Sequence, residues 1–312
     1  MTELVSIVIP CHNAAPWLTQ TLESALAQTW KEKEVILVDD GSTDGSPAVA
    51  ARFEPRGVTV VSQANRGASA ARNHGLRLAR GSYIQYLDAD DLLAPEKIAL
   101  QMELAGRCGR DMALCCTWSR FVSTPSDAEF SPQPLCRDAA PVDWVVSKLE
   151  CNAMMHPAAW LTPRSLSELA GPWDESLSLD DDGEYFTRVV LASHGVRFCQ
   201  EAVSFYRSRL PGSLSRSNSD RAWDSALRSL ELSSRMLRQK EDSPRTRGAC
   251  ADAFQQFIYS AYPRAAQCRM RAARHVAELG GSSLKPPGGP RFRLASRILG
   301  WRLAKRLAGL IR

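Results

Sequence analysis

The sequence predicts a doubly wound α/β sheet flanked by helices, with a helical C-terminal extension. Two observations carry this. Four short apolar runs, each followed by a loop and a helical pattern, recur within the first ~100 residues, as expected of strand–helix units. Three of those runs end in polar or acidic residues, at 10–13, 39–40 and 88–90. Those are the carboxyl ends of strands, where open α/β sheets bind their ligands.

Residues 5–9 (Val-Ser-Ile-Val-Ile) are ended by Pro10, which suits a central strand buried on both faces. A loop, Cys11-His12-Asn13-Ala14-Ala15-Pro16-Trp17, leads to a helix with Leu18, Leu22, Ala25 and Leu26 on one face. That loop lacks Gly-x-Gly-x-x-Gly, so a nicotinamide or flavin domain loses its main support. Residues 34–38 form the second strand, stopping at Asp39-Asp40; a tight turn follows, with Asp44 placed to cap a helix through Phe53. The third strand, 58–62, leads through Asn65-Arg66-Gly67 to a helix carrying Arg72 and Asn73. The fourth run, Gly81-Ser82-Tyr83-Ile84-Gln85-Tyr86-Leu87, ends in Asp88-Ala89-Asp90-Asp91.

Three carboxylates in four residues at a strand's end repel one another and need a cation or several donors. Asp88 and Asp90 in Asp-x-Asp spacing make an oxygen ligand set for Mg²⁺ or Mn²⁺, ions that usually share their coordination with substrate phosphates. The plainer reading is a solvated turn with Asp91 capping a helix near Pro95. Asp39 and Asp40 are placed to accept from a base imide N–H or a ribose hydroxyl, or else serve as turn and cap residues. Arg72 either faces a phosphate or sits on a solvated helix face.

Composition sets the outer bounds. The 312 residues are 44% hydrophobic, ordinary for a globular chain. Nine scattered cysteines, without Cys-x-x-Cys or zinc-like His spacing, indicate neither a disulfide framework nor structural zinc and suit a reducing cytosol. The N-terminus runs directly into a strand, so no signal peptide is expected, and no run approaches the ~20 apolar residues of a membrane span. Of the net +5, residues 291–312 supply seven Lys/Arg and no acid, while residues 1–290 balance at −2. No nucleic-acid partner is expected.

Four ordered motifs resemble glycosyltransferase family 2 of the GT-A fold. They are Ser6-Ile7-Val8-Ile9-Pro10-Cys11-His12-Asn13; Val38-Asp39-Asp40-Gly41-Ser42-Thr43-Asp44; Asn65-Arg66-Gly67 with Ala71-Arg72-Asn73-x-Gly75; and Gly81-x-Tyr83-Ile84-x-x-Leu87-Asp88-x-Asp90-Asp91. The likeness is strong over residues 4–100 and resumes around 151–216. It implies that Pro10, Asn13 and Asp40 contact the nucleoside of a sugar nucleotide. It implies too that Asp88 and Asp90 hold the metal, with Asp90 the direct ligand. The family is usually inverting, with a single general base. Asp180-Asp181-Asp182-Gly183-Glu184-Tyr185-Phe186-x-Arg188 resembles its acidic motif: counting back from Arg188 nominates Asp182 as the base, and a one-residue shift nominates Asp181. His156, in Asn152-Ala153-Met154-Met155-His156-Pro157, is a candidate for phosphate or acceptor contact or a structural residue. Residues 206–216, ending in Arg216, resemble a loop whose Arg and Ser residues bind donor phosphate, or form a plain surface loop.

The expected organisation is a nucleotide-sugar half (1–100), an acceptor half (101–220), a helical extension (221–280), a Pro/Gly linker (281–290) and a basic amphipathic tail helix (291–312). The tail suits an anionic membrane surface, with Trp301 and the basic flanks as interfacial anchors, or packs on the protein. The expected function is single transfer from a nucleotide-diphosphate sugar, a UDP-sugar first, to a hydroxyl of a glycan or lipid-linked precursor in cell-surface polysaccharide synthesis. No Gln-x-x-Arg-Trp is present, which argues against a processive synthase. The rivals are a sugar-phosphate nucleotidyltransferase, which would want a Gly-rich loop after the first strand, and a non-catalytic sugar-nucleotide scaffold. Oligomeric state is not readable from the sequence.

Overall fold

The computed structural model describes residues 3–210 and 217–310. Its first sheet joins β1 (Val5–Cys11), β2 (Lys33–Asp40), β3 (Val58–Gln63) and β4 (Tyr83–Tyr86) in parallel, in the order β3-β2-β1-β4. The connecting helices are α1 (Ala15–Leu26), α2 (Ser46–Ala51) and α3 (Ala68–Leu78). The chain continues through β5 (Leu92–Leu93), α4 (Lys97–Cys108), β6 (Met112–Phe121), β7 (Glu129–Phe130) and α5 (Pro141–Glu150). Then come β8 (Thr162–Pro163), α6 (Arg164–Ala170), α7 (Asp181–Ala192) and the long β9 (Gly195–Arg207). β8 closes the first sheet antiparallel to β4, and β5, β9, β6 and β7 form a second sheet in that order. An isolated bridge, Leu114↔Leu161, ties the two sheets together.

The alternation of β1 explains why both faces are covered. Ile7 and Ile9 pack with Leu18 and Leu22 of α1 and Ile98 and Met102 of α4, whereas Val8 points the other way, into a core with Ala71 of α3 and Tyr86. A strand buried on both sides has no polar face, hence its apolar run. Gly81 marks where β1 and β4 approach closely: a Cβ there would lie 2.6 Å from the Ser6 nitrogen and 2.7 Å from the Leu4 oxygen. Gly81→Ala is therefore expected to destabilise by about 1–3 kcal/mol, read from urea unfolding, because only backbone movement relieves the clash.

Two capping expectations are corrected. Gly45, not Asp44, is the residue that precedes α2; Asp44, one position earlier, accepts from the first N–H of α2 (Ser46, 2.8 Å) and the first of α1 (Ala15, 3.1 Å), tying two helix starts together. Asp91 caps no helix; it is buried beneath the site described below. The C-terminal part holds α8 (Asp220–Lys240), α9 (Pro244–Ala261) and α10 (Ala266–Glu278). The tail is not one helix but two, α11 (Pro290–Leu299) and α12 (Trp301–Leu310), broken at Gly300, whose φ of 75° disrupts helical continuity. No described helix is long and apolar enough to cross a membrane.

Candidate active site

The carboxyl ends of β1 and β2 form one wall. Pro10 is buried within β1, and Asn13 follows in a left-handed conformation (φ 51°). Asparagine tolerates that region better than most residues. Asn13 accepts from the Thr43 nitrogen at 2.8 Å and donates its own N–H to Ser42 Oγ at 3.0 Å, pinning the loop after β1 to that after β2. Asp40, 2% exposed, is taken up by three donors: Gln63 Nε2 (2.8 Å), the Arg66 nitrogen (2.9 Å) and the Gly67 nitrogen (2.7 Å). It therefore builds the wall from beneath. Asp39, also buried, receives the Ser42 N–H at 3.3 Å and keeps acceptor capacity to spare.

The centre of the site is Arg72, on α3. Neither solvated nor facing open space, its guanidinium is 5% exposed and bridges two distant segments. Nη2 donates to Asp88 Oδ1 at 2.7 Å, Nη1 to Asp181 Oδ2 at 2.8 Å, and the group lies 4.4 Å from the centre of the Trp173 ring. Trp173 stacks on Tyr185 at 4.0 Å, with Tyr86 edge-on to both, so the arginine rests on an aromatic floor. Burial alone would lower the pKa of Arg72, but the charges of Asp88 and Asp181 more than reverse that, and the group is held cationic.

Asp181 and Asp182 open α7 and differ in their surroundings. Asp181 is engaged by Arg72 and by Ser69 Oγ at 2.8 Å. Asp182 is partly accessible and, among the described residues, accepts only the adjoining Gly183 N–H, at 2.9 Å. Burial, then the charges of Asp181 and Asp180, push its carboxyl up to about 7, against a smaller downward pull from Arg72. A carboxylate poised near neutrality suits proton transfer.

Asp88 and Asp90 follow β4. Asp90, half-buried, has its pKa pushed well above the ordinary carboxylate range by burial and by Asp91 and Asp88. That excess of negative charge on hard oxygen donors fits a hard divalent cation. Among the described residues no three His, Cys, Asp or Glu side chains gather into a ready cage. Two carboxylates without a cage suit an ion that completes its coordination with water and substrate phosphate.

His156 stands apart. It is 1% exposed, with Nδ1 3.0 Å from Asp91 Oδ2 and Nε2 2.9 Å from Ser204 Oγ, leaving neither ring nitrogen free for a ligand. Burial lowers it to about 3, so the neutral ring serves as a spacer between the aspartate turn and β9. Arg216 lies outside the described residues.

Arg207, expected in the 206–216 loop, is instead the last residue of β9 and faces the aspartate turn. Its backbone N–H donates to Asp91 Oδ1 at 2.8 Å, its Nε to the Asp90 carbonyl at 2.8 Å and its Nη2 to Gln20 Oε1 at 2.7 Å. It locks the shape of the acidic turn. Asn73 is similar: it bonds both backbone groups of Trp173, at 2.8 and 3.0 Å, fixing the aromatic floor. The only sequence signal for either was membership of a motif.

Residues 6–141 match the family model described as Glycosyl transferase family 2. A glycosyltransferase of Rickettsia typhi is 29% identical over 199 residues, covering 61% of this chain and 59% of that protein. The glycosyltransferase EpsJ of Bacillus subtilis is 30% identical over 227 residues, 69% of this chain and 63% of its own length. The chain thus spans about three fifths of each of these two relatives. Among solved structures, Staphylococcus aureus TarS 1–349 in complex with UDP-GlcNAc superposes with a TM-score of 0.64 at 14% identity, covering 90% of this chain and 93% of that one. The mannosyltransferase PcManGT of Pyrobaculum calidifontis, in complex with GDP-Man and Mn²⁺, superposes with a TM-score of 0.58 at 17% identity, over 99% and 88%. These likenesses show the GT-A fold. Motifs, fold and the matching family model agree: residues 6–141 carry the likeness to glycosyltransferase family 2, on a chain with the GT-A fold.

Proposed function

We propose that this chain transfers one sugar, with inversion, from a nucleotide-diphosphate sugar to a hydroxyl of a glycan or lipid-linked precursor, dependent on a divalent metal. The observation that carries the reading is Asp182: a carboxyl pushed up to about 7, opening a helix beside the aspartate turn, at the ligand-binding end of the sheet. It takes the acceptor's proton as the hydroxyl oxygen attacks the anomeric carbon and the bond to the diphosphate breaks. Asp181 is held by Arg72 and serves to position rather than to accept. Asp88 and Asp90 would hold Mn²⁺ or Mg²⁺, which when bound supplies positive charge against the departing diphosphate. Asp39, with its spare acceptor capacity, is the carboxylate for the base or ribose, and Asp40 and Asn13 shape the loops around it. Acceptors carried on lipid place the work at the inner face of the cell membrane. UDP-GlcNAc in the TarS complex supports a UDP-sugar as the first donor to test, and GDP-Man in the PcManGT complex puts GDP-sugars beside it.

The test is release of nucleotide diphosphate from a panel of UDP- and GDP-sugars with Mn²⁺, Mg²⁺ or chelator. Release from one donor, lost with chelator, is expected. Metal-dependent binding without release from any donor would instead identify a scaffold.

A further inference from the structure

We propose that the C-terminal hairpin docks this protein on an anionic lipid bilayer, with α12 as its fixed arm and α11 as its inserting arm. The docking is independent of the proposed catalysis and rests on that reading only for its purpose, bringing the site to a lipid-linked acceptor.

α12 is anchored. Trp301 packs edge-on against Tyr259 and near-perpendicular to Tyr262, with ring centres 4.9 and 5.0 Å apart. Ala304 is 4% exposed, and Lys305 Nζ bonds the Tyr259 carbonyl at the end of α9. This corrects the reading of Trp301 as an interfacial anchor, since its ring is used on the protein. Residues 302, 303, 306 and 307 lie around the rest of the helix, where Leu303 and Leu307 are exposed beside Arg302 and Arg306.

Across Gly300, α11 has no buried residue. Leu294 (61% exposed) and Ile298 (73%) share one helix face at i, i+4 spacing, with Arg291 and Arg297 bordering it. At the break between the arms an open cleft of about 490 Å³ is lined by Leu299, Arg302, Leu303 and Arg306 with Tyr262 of the body. It sets two guanidiniums beside aliphatic side chains.

Charge and apolarity together select the occupant. Five exposed arginines, Arg291, Arg293, Arg297, Arg302 and Arg306, with no acidic residue between 291 and 312, repel a second copy of this surface and call for an anionic partner. Exposed leucine and isoleucine gain nothing on a phosphate backbone but gain burial among acyl chains, which favours a bilayer over nucleic acid. In this arrangement the arginines meet headgroup phosphates, and Leu294 and Ile298 enter the acyl boundary.

The experiment is co-sedimentation of the full chain with vesicles of phosphatidylglycerol and phosphatidylcholine, against phosphatidylcholine alone, with free inorganic phosphate as competitor. Binding is expected only to the anionic vesicles, unchanged by phosphate. R302A/R306A should weaken it roughly thirtyfold, at about one basic contact's contribution each. L294S/I298S should weaken it roughly tenfold or more through lost burial. Metal-dependent donor hydrolysis without vesicles should be the same in both variants, so a failed site and a failed docking surface give different results. Equal binding to neutral vesicles, no binding at all, or binding unaffected by both variants would overturn the proposal.

Discussion

Asp182→Asn is expected to lower the rate of sugar transfer by about 10²–10⁴-fold, the usual contribution of a positioned general base, while leaving donor binding in place. Asparagine keeps the oxygen that accepts the Gly183 N–H, so the helix start should not change. In the wild type, kcat/KM should rise with pH and level off above about 7, because the base must be ionised to act. The same variant should be more stable, not less. Its carboxyl titrates higher in the folded chain than unfolded, so the folded state binds more protons across that window. Stability then falls as pH rises from the ordinary carboxylate range through about 7. Removing the charge should raise Tm by a few degrees near neutral pH and flatten that decline, an activity–stability trade expected where a site holds an unfavourable charge. Full transfer by Asp182→Asn, with loss in Asp181→Asn instead, would reassign the base.

Arg72→Ala should have the larger effect on the fold. It leaves Asp88 and Asp181 without their shared cation, next to Asp182, in a buried setting where removing one partner of an ion pair costs about 3–5 kcal/mol. Arg72→Lys keeps a charge but not the fork that reaches both carboxylates, and should fall between. Mn²⁺ should raise the Tm of Arg72→Ala by more than it raises that of the wild type, since a bound cation can replace the missing charge. Equilibrium unfolding with and without the ion measures both effects. A loss below about 1 kcal/mol would mean that the bridge is not what holds the carboxylates together.

The strands and their order of use were legible because each central strand is apolar on both faces and ends abruptly in polar residues. The acidic residues were legible as a set. Their partners were not, because pairing is three-dimensional: Arg72 meets Asp181 across 109 residues and Asp91 meets His156 across 65. Sequence alone offered Arg72 a phosphate or solvent; the fold removes the solvent and adds two carboxylate partners that the sequence did not suggest. Sequence left His156 open between a ligand contact and a structural role, and its burial between Asp91 and Ser204 favours the structural one. The tail was read as one helix since a lone glycine in a helical pattern is often tolerated; here Gly300 takes a positive φ and Trp301 turns inward.

The lock on the acidic turn has a consequence for how such a site can be divided. Asp88, Asp90 and Asp91 all fall within the first hundred residues, and Thr21 and Arg72 hold the turn from that half, but His156 and Arg207 brace it from the other half and Asp181 fixes the far side of Arg72. A fragment cut after residue 141 would carry the whole acidic signature with Arg72 as its main counter-charge, and nothing from β9 to brace the turn. The half of the chain that bears the Asp-x-Asp turn borrows part of its geometry from the half that bears the second acidic motif, so exchanging one half between relatives should disturb the turn.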